Sequence, residues 1–406
     1  REGIFYTDTC EGVFDSHPEV FRSALAGALV EGETVQTFGA ETADGLAAQI
    51  TVLDARFYTE VAFGGSIGAG EAWMHGYWAC DDLVALVRIL LRNRDVLDGM
   101  EGGLARLMAP LQRLIHRLNR NSRSGARRNI AAHYDLGNDF FDLWLDETMM
   151  YSSAIFAEPG MGLHEAQRHR LDHICRRLDL QPSDHVLEIG TGWGGFALHA
   201  ARHYGCRVTT TTISAEQHAR ACERVAAAGL ADRVTILQDD FRDLDGQYDK
   251  LVSIEMIEAV DHALLPAFFR KCGGLLAPHG AMLIQAITMA DQRYEEYRKS
   301  VDFIRRYIFP GGNLPSTAVM ADCAARETDL RLLGLDDIGL HYAETLRRWR
   351  SAFSAQLEAV RRMGYPESFI RMWTFYLCYC EGAFRERAIS DVLMLWTGPQ
   401  SRLRTL

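Results

Sequence analysis

Between residues 185 and 288, short apolar runs alternate with helix-like stretches, and this alternation constrains the fold more than any other feature of the chain. The runs are HVLEIG, RVTTTTI, RVTILQ, YDKLVSIE and GAMLIQAIT, with helices predicted from Gly195, from Ser214 and after Glu255. Strands this apolar are covered on both faces, and strand-helix alternation covers them with crossover helices, so the pattern predicts a doubly wound parallel α/β sheet. Ser214 followed by Gln217 in SAEQ fits a capping box and marks a helix start.

The first run ends in EIGTGWGG, whose glycines fit two patterns. Gly190, Gly192 and Gly195 match the dinucleotide spacing G-x-G-x-x-G, whereas Gly190, Gly192 and Gly194 match the G-x-G-x-G of S-adenosylmethionine enzymes. Both need a backbone that turns tightly and lets a cofactor approach. A dinucleotide site wants an acid about 20 positions on, and the second strand ends TTTTIS without one. Glu188 before the loop and Asp240 and Phe241 after the third strand favour S-adenosylmethionine, since an acid and an aromatic ring suit adenine.

SIEMIEAV places Glu255 and Glu258 three positions apart after the fourth strand. On a helical turn they would share a face, and two carboxylates in one space need a proton or a partner between them, which is how a general base is tuned. The alternative is a strand-ending Glu255 and a solvated Glu258 in the first turn of a helix.

Composition limits the remaining classes. The 406 residues are 48% hydrophobic and 24% charged, which suits one or two globular domains, and the net charge of -11 excludes general nucleic-acid binding. Nine scattered cysteines without a C-x-x-C pair indicate neither a disulfide framework nor a zinc site. The first residues lack a signal-peptide pattern and no apolar run reaches roughly 18 residues, so a cytoplasmic chain is expected. One stretch reverses the charge: residues 106–128 carry seven arginines and no acid. Leu107, Leu111, Leu114, Ile115 and Leu118 recur at helical spacing there. The stretch reads either as a basic amphipathic helix meeting an anionic membrane or as an ordinary surface helix, followed by an NSRSG linker. Upstream, TVQTFG, GLAAQITVLD, a glycine-rich turn GGSIGAGEAWMHGYW and a helix DDLVALVRILLRN predict a small α+β domain. The expected division is 1–105, a basic helix and linker at 106–128, and a catalytic domain at 129–406.

The segments NIAAHYDLGNDFFDLWLD, MMYSSAIF, VLEIGTGWGGFA, TTISAEQH, QDDFRDL, IEAV and YIFPGGNLPS, in this order, resemble the cyclopropane-fatty-acyl-phospholipid synthase family, relatives of the mycolic acid cyclopropane synthases. The resemblance implies a Rossmann-like class I methyltransferase sheet with covering helices. It also implies transfer of a methylene unit from S-adenosylmethionine to the cis double bond of an unsaturated phospholipid acyl chain, through a carbocation shielded by aromatic faces. Cofactor contacts carry over to Tyr151, Ser152, Gly190, Gly192, Trp193, Gly194, Thr212, Ile213, Gln217, Asp240 and Phe241, and Tyr134 joins Tyr151 as a ring near the reacting carbons. The family's base is a bicarbonate ion, held here by the amides of Ser153 and Ile287, by Glu258 and by Tyr342.

Three positions depart from the family. Ser153 stands where cysteine is common, Gln285 replaces a histidine, and Glu255 replaces a glycine. Gln285 donates hydrogen bonds but cannot shuttle a proton. Either Gln285 steadies Glu255 while bicarbonate binds, or Glu255 takes the anion's place and is itself the base. The variant pattern resembles a branch that includes plant cyclopropane synthases and bacterial enzymes making methylene-branched fatty acids. Ring closure is the first expectation, mid-chain branching the alternative, and a degenerate lipid-binding protein a third. Longer family members are often dimeric, so a homodimer rests on the resemblance alone. The carboxyl-terminal helices, with Trp349, Phe353, Phe369, Trp373, Phe375 and Tyr376, are expected to enclose an acyl tunnel.

Overall fold

The computed structural model describes residues 26–32, 34–38, 44–93 and 136–403. The chain forms two compact units: residues 1–116 with 300–308 and 354–388, and residues 117–299 with 309–353 and 389–406. The division is therefore interleaved along the sequence. The basic stretch 106–128 lies outside the described residues.

In the first unit, β1 (Ala26–Glu31), β2 (Thr34–Phe38), β3 (Ala47–Val52) and β4 (Trp78–Cys80) form a sheet of order β2-β1-β3-β4. Helix α1 (Arg56–His75) precedes β4, and α2 (Leu83–Arg92) follows it, capped by Asp82, whose carboxylate accepts from the Ala85 amide at 2.9 Å. A correction falls on α1, because the glycine-rich segment predicted as a turn is helical and kinked at Gly65. Its glycines serve packing: a Cβ on Gly70 would lie 2.6 Å from Phe303 Cε2. The helix Glu367–Arg385 joins this unit, and a Cβ on Gly382 would come within 2.9 Å of Val87 on α2.

The second unit holds a seven-stranded sheet of order β10-β11-β9-β8-β5-β6-β7. Its parallel part comprises β5 (His185–Ile189), β6 (Arg207–Thr211), β7 (Val234–Leu237), β8 (Tyr248–Ile254) and β9 (Leu276–Met289), where the apolar runs predict strands. Its helices are α3 (Leu163–Arg177), α4 (Gly195–Tyr204), α5 (Ala215–Ala227), α6 (Leu265–Leu275), α7 (Thr317–Glu327) and α8 (Gly339–Ala355). Neighbouring strand residues point to opposite faces, so Val186, Val252 and Leu283 enter one apolar cluster while Leu187, Leu251 and Met282 enter another. Both faces are thus buried, as a doubly wound sheet requires.

The sheet is not wholly parallel. β10 (Arg331–Asp337) and β11 (Ile389–Thr397) add two antiparallel strands, with β11 paired along β9. The apolar run VLMLW in β11 carries a strand signal that the alternation upstream overshadows. Its register sets Asp391 opposite Ile287, two residues from Gln285. Diagonal neighbours at that offset share a sheet face.

Candidate active site

The carboxyl ends of β5, β8 and β9 converge on one region, where open α/β sheets bind ligands. The loop after β5 supplies the glycines, with φ of 105° at Gly190, 52° at Gly192 and 84° at Gly194. These left-handed or extended-positive angles suit glycine. A Cβ on Gly195 would lie 2.7 Å from the Thr148 carbonyl oxygen, so the loop is also packed from behind. Trp193 is buried and donates Nε1–H to Asn138 Oδ1 at 2.7 Å. After β6, the Thr212 hydroxyl bonds Gln217 Oε1 at 3.1 Å, and Ser214 Oγ accepts from the Gln217 amide at 3.3 Å. The capping contact predicted at Ser214 is present, while the glutamine side chain turns to Thr212. Ile213 between them is half-buried. Asp240 caps a short turn and binds the Arg242 guanidinium at 2.5 Å, and the Phe241 ring lies edge-on to Phe268 at 5.3 Å. Below the loop, buried Glu188 accepts from the Thr210 hydroxyl at 2.6 Å, and burial pushes its carboxyl up to about 8.

Aromatic rings line the next layer. Tyr151 lies 5.5 Å from Phe141, 5.6 Å from Trp144 and 5.3 Å from Trp349 between ring centres, and Trp349 lies 6.0 Å from Tyr342. Phe309 approaches Tyr151 at 6.4 Å. Tyr134 lies outside the described residues.

The glutamates come together by a route the sequence does not predict. Glu255 immediately follows β8 with φ of 46°, and Glu258 comes next in the 3-10 turn Ile257–Ala259, so the pair shares no helix face. Left-handed φ is ordinary for glycine and costs a side-chain residue on the order of 1 kcal/mol or more. The Glu255 carboxylate is held by three donors: Oε1 accepts from the Ser153 amide at 2.7 Å and from Gln285 Nε2 at 2.8 Å, and Oε2 accepts from the Tyr342 hydroxyl at 2.6 Å. Glu258 Oε1 accepts from the Ile287 amide at 2.5 Å, while its Oε2 is enclosed and receives no donor among the described residues. Glu258 is therefore not the solvated helix-start acid of the simpler reading.

The three donors assigned to a bicarbonate ion, the Ser153 and Ile287 amides and the Tyr342 hydroxyl, are each spent on a protein carboxylate. The residues present do not fit a separately held bicarbonate, and no step is routed through one.

Two residues that the sequence does not single out complete the site. Asp391 Oδ2 accepts the second amide hydrogen of Gln285 at 2.8 Å, and Arg170, fully buried on α3, donates to Gln285 Oε1 at 3.3 Å, to Ser152 Oγ at 2.8 Å and to Gln167 Oε1 at 2.8 Å. Burial pushes Glu255 upward against the Tyr342 and Ser153 hydrogen bonds and the Arg170 charge. Burial and the Glu255 charge push Glu258 to about 8 and Asp391 well above the ordinary carboxylate range. An aspartate beside the apolar run of β11 is a signal for Asp391, whereas Arg170 sits among other arginines on a polar helix and carries no such signal.

A class of protein is now defined: a doubly wound sheet with a glycine loop at its carboxyl edge, an aromatic layer and a buried carboxylate cluster. Residues 121–394 match the family model of mycolic acid cyclopropane synthetase. The chain is 43% identical over 328 residues to the tuberculostearic acid methyltransferase UfaA1 of Mycobacterium tuberculosis, covering 79% of this chain and 76% of that one. It is 37% identical to the cyclopropane-fatty-acyl-phospholipid synthase of Escherichia coli, covering 84% and 86% respectively. Among solved structures, mycolic acid cyclopropane synthase CmaA1 complexed with SAH and CTAB superposes with a TM-score of 0.63 at 30% identity, over 67% of this chain and 98% of that chain. The chain belongs to the mycolic acid cyclopropane synthetase family. It has the class I methyltransferase fold and is an S-adenosylmethionine-dependent methyltransferase that acts on lipid acyl chains.

Proposed function

We propose that the chain methylates the cis double bond of an unsaturated phospholipid acyl chain and that Glu255 removes the proton that completes the reaction. The observation that carries this reading is the Glu255 carboxylate, clamped by Ser153, Gln285 and Tyr342 at the end of β8. The alkene π pair attacks the sulfonium methyl, the S–C bond breaks, and a cation is left on the neighbouring chain carbon. The rings of Tyr151, Trp349 and Phe309 suit such a cation, since aromatic faces attract positive charge and exclude water. Tyr342 and the Ser153 amide fix the base, and Gln285 cannot exchange the proton onward.

Two products follow from this cation. If Glu255 takes a proton from the new methyl at once, the released C–H pair closes a cyclopropane ring. If a hydride first moves from the methyl-bearing carbon to the cation, the same deprotonation leaves a methylene branch. Three donors and a buried guanidinium weaken Glu255 as a base, which gives the hydride time to move to the more substituted cation. The relatives at 43% and 40% identity are named tuberculostearic acid methyltransferase and probable fatty acid methyltransferase, which also favours branching. The Escherichia coli relative at 37% identity supports ring closure as the second reading. The order of the two is the reverse of the one suggested by sequence alone. The basic stretch 106–128 is the part of the chain proposed to meet an anionic membrane.

Glu255→Gln keeps size and removes the base. With S-adenosylmethionine and vesicles of a cis-monounsaturated phospholipid, it is predicted to lose product formation by about 10²- to 10⁴-fold while still binding S-adenosylhomocysteine. Unreduced turnover would refute Glu255 as the base. For the wild type, vinylidene protons in the NMR spectrum mark the branch and upfield ring protons mark cyclopropane.

A further inference from the structure

Two carboxylates and one guanidinium meet around a single amide, and a third carboxylate, Glu258, lies close enough to be influenced by Glu255. Gln285 donates one hydrogen to Glu255 Oε1 and the other to Asp391 Oδ2, both at 2.8 Å, and its carbonyl faces Arg170 Nη1 at 3.3 Å. The reversed amide would set a carbonyl against two carboxylates and an NH₂ against a guanidinium, so the charges themselves fix its orientation. The neighbours that face Glu255 are Arg170 on α3, Glu258 in the turn after β8, Tyr342 on α8 and Asp391 on β11, and Arg170 is also influenced by Asp146.

A buried site with one fixed positive charge does not hold three negative ones. The hydrogen bonds decide where the single negative charge resides. Glu255 receives three donors, whereas Asp391 and Glu258 receive one each. Asp391 Oδ1 is enclosed and receives no N–H or O–H among the described residues, so a negative charge on this carboxyl would lack support on that side.

We propose that Arg170 and Asp391, acting through Gln285, set the charge of the base: Arg170 is the counter-ion that keeps Glu255 ionised, and Asp391 is held beside it as a neutral acid. Both are positioning residues. The inference rests on Glu255 being the base. It assigns to Gln285 the task of linking base, counter-ion and neutral acid with one side chain, a task for which an imidazole lacks the second donor on the same atom.

The test is the pH dependence of kcat with S-adenosylmethionine and cis-unsaturated phospholipid vesicles. Wild-type rate is predicted to rise as Glu255 ionises. Arg170→Gln removes the counter-charge, raises the pKa of the base and shifts this acid limb upward by about one pH unit or more, with the rate recovering at higher pH. Arg170→Lys, which keeps the charge, returns the limb toward the wild-type position. Asp391→Asn resembles the protonated acid, so the limb stays within about 0.3 pH units of the wild-type position whatever the plateau rate.

A rate lowered equally at every pH in Arg170→Gln would reduce Arg170 to a structural role and overturn the proposal. So would a limb that moves down by about a unit in Asp391→Asn, because Asp391 would then be ionised in the working enzyme. If Arg170→Gln does not fold, Asp391→Asn decides alone. Retained activity in Glu255→Gln would defeat the reading beneath the inference; an inactive Glu255→Gln with an unmoved limb in Arg170→Gln would defeat the inference only.

Discussion

Glu255 occupies a backbone conformation that favours glycine, and the strain there is outweighed by what its carboxylate satisfies. Relieving the left-handed φ by Glu255→Gly gains about 1 kcal/mol, but it takes the carboxylate acceptor from the Ser153 amide, one Gln285 hydrogen and the Tyr342 hydroxyl, and a buried amide donor left unpaired costs about 1–3 kcal/mol. The variant is therefore predicted to have a lower Tm and no measurable turnover. A small carboxylate supplied from solution, formate or bicarbonate, should restore part of both, because the vacated donors match an anion. Absence of any rescue by either anion, with S-adenosylhomocysteine binding intact, would argue that the carboxylate position is not the seat of the base. The sequence singles out Glu255 and Glu258, but the shared helix face their spacing suggests is not how they meet, since Glu255 has left-handed φ and Glu258 follows in a 3-10 turn. The roles of Arg170 and Asp391 are not legible in the sequence, because their partners lie 115 and 106 residues away from them along the chain at Gln285. Only the register of β11 along β9 brings Asp391 to the glutamine.

At the level of elements, the glycine loop shows how one residue type serves two needs. Gly190, Gly192 and Gly194 supply positive φ, whereas Gly195 gives the first turn of α4 room against the 148–150 segment. Gly195→Ala places a methyl 2.7 Å from the Thr148 carbonyl oxygen, so Thr148 to Tyr151 must move. S-adenosylhomocysteine binding measured by calorimetry is predicted to weaken about tenfold or more, since steric overpacking typically costs 1–3 kcal/mol. Unchanged affinity would show that the segment yields freely. The same elements show what pattern reading captures. β5, β8 and β9 are legible because strands buried on both faces are largely apolar, and the helix after Ser214 because its cap is local. The helix α1 is masked by its glycines, one of which, Gly70, answers to Phe303 more than 200 residues away, and local signals alone read as a turn there.

For the whole molecule, the interleaved division matters to how the chain can be dissected. The unit that contains β1 to β4 also holds the helix Glu367–Arg385, whose Arg371 carbonyl accepts from Trp73 Nε1 at 2.9 Å and whose following residue Glu386 pairs with Arg88 at 2.7 Å and Arg92 at 2.9 Å. Removing the amino-terminal residues would uncover this helix. An expectation of a detachable docking domain at 1–105 therefore does not translate into a clean truncation. Among the described residues no helix is long and apolar enough to cross a membrane.

The most direct test of the central claim is turnover by the intact protein in bicarbonate-free buffer, with S-adenosylmethionine and vesicles of a cis-monounsaturated phospholipid, followed by mass spectrometry and proton NMR of the acyl chains. The predicted result is an acyl chain heavier by one CH₂, formed at the same rate whether or not bicarbonate is added, because Glu255 already fills the place of the anion. An acyl chain left unmodified, or a product that forms only when bicarbonate is supplied, would contradict it.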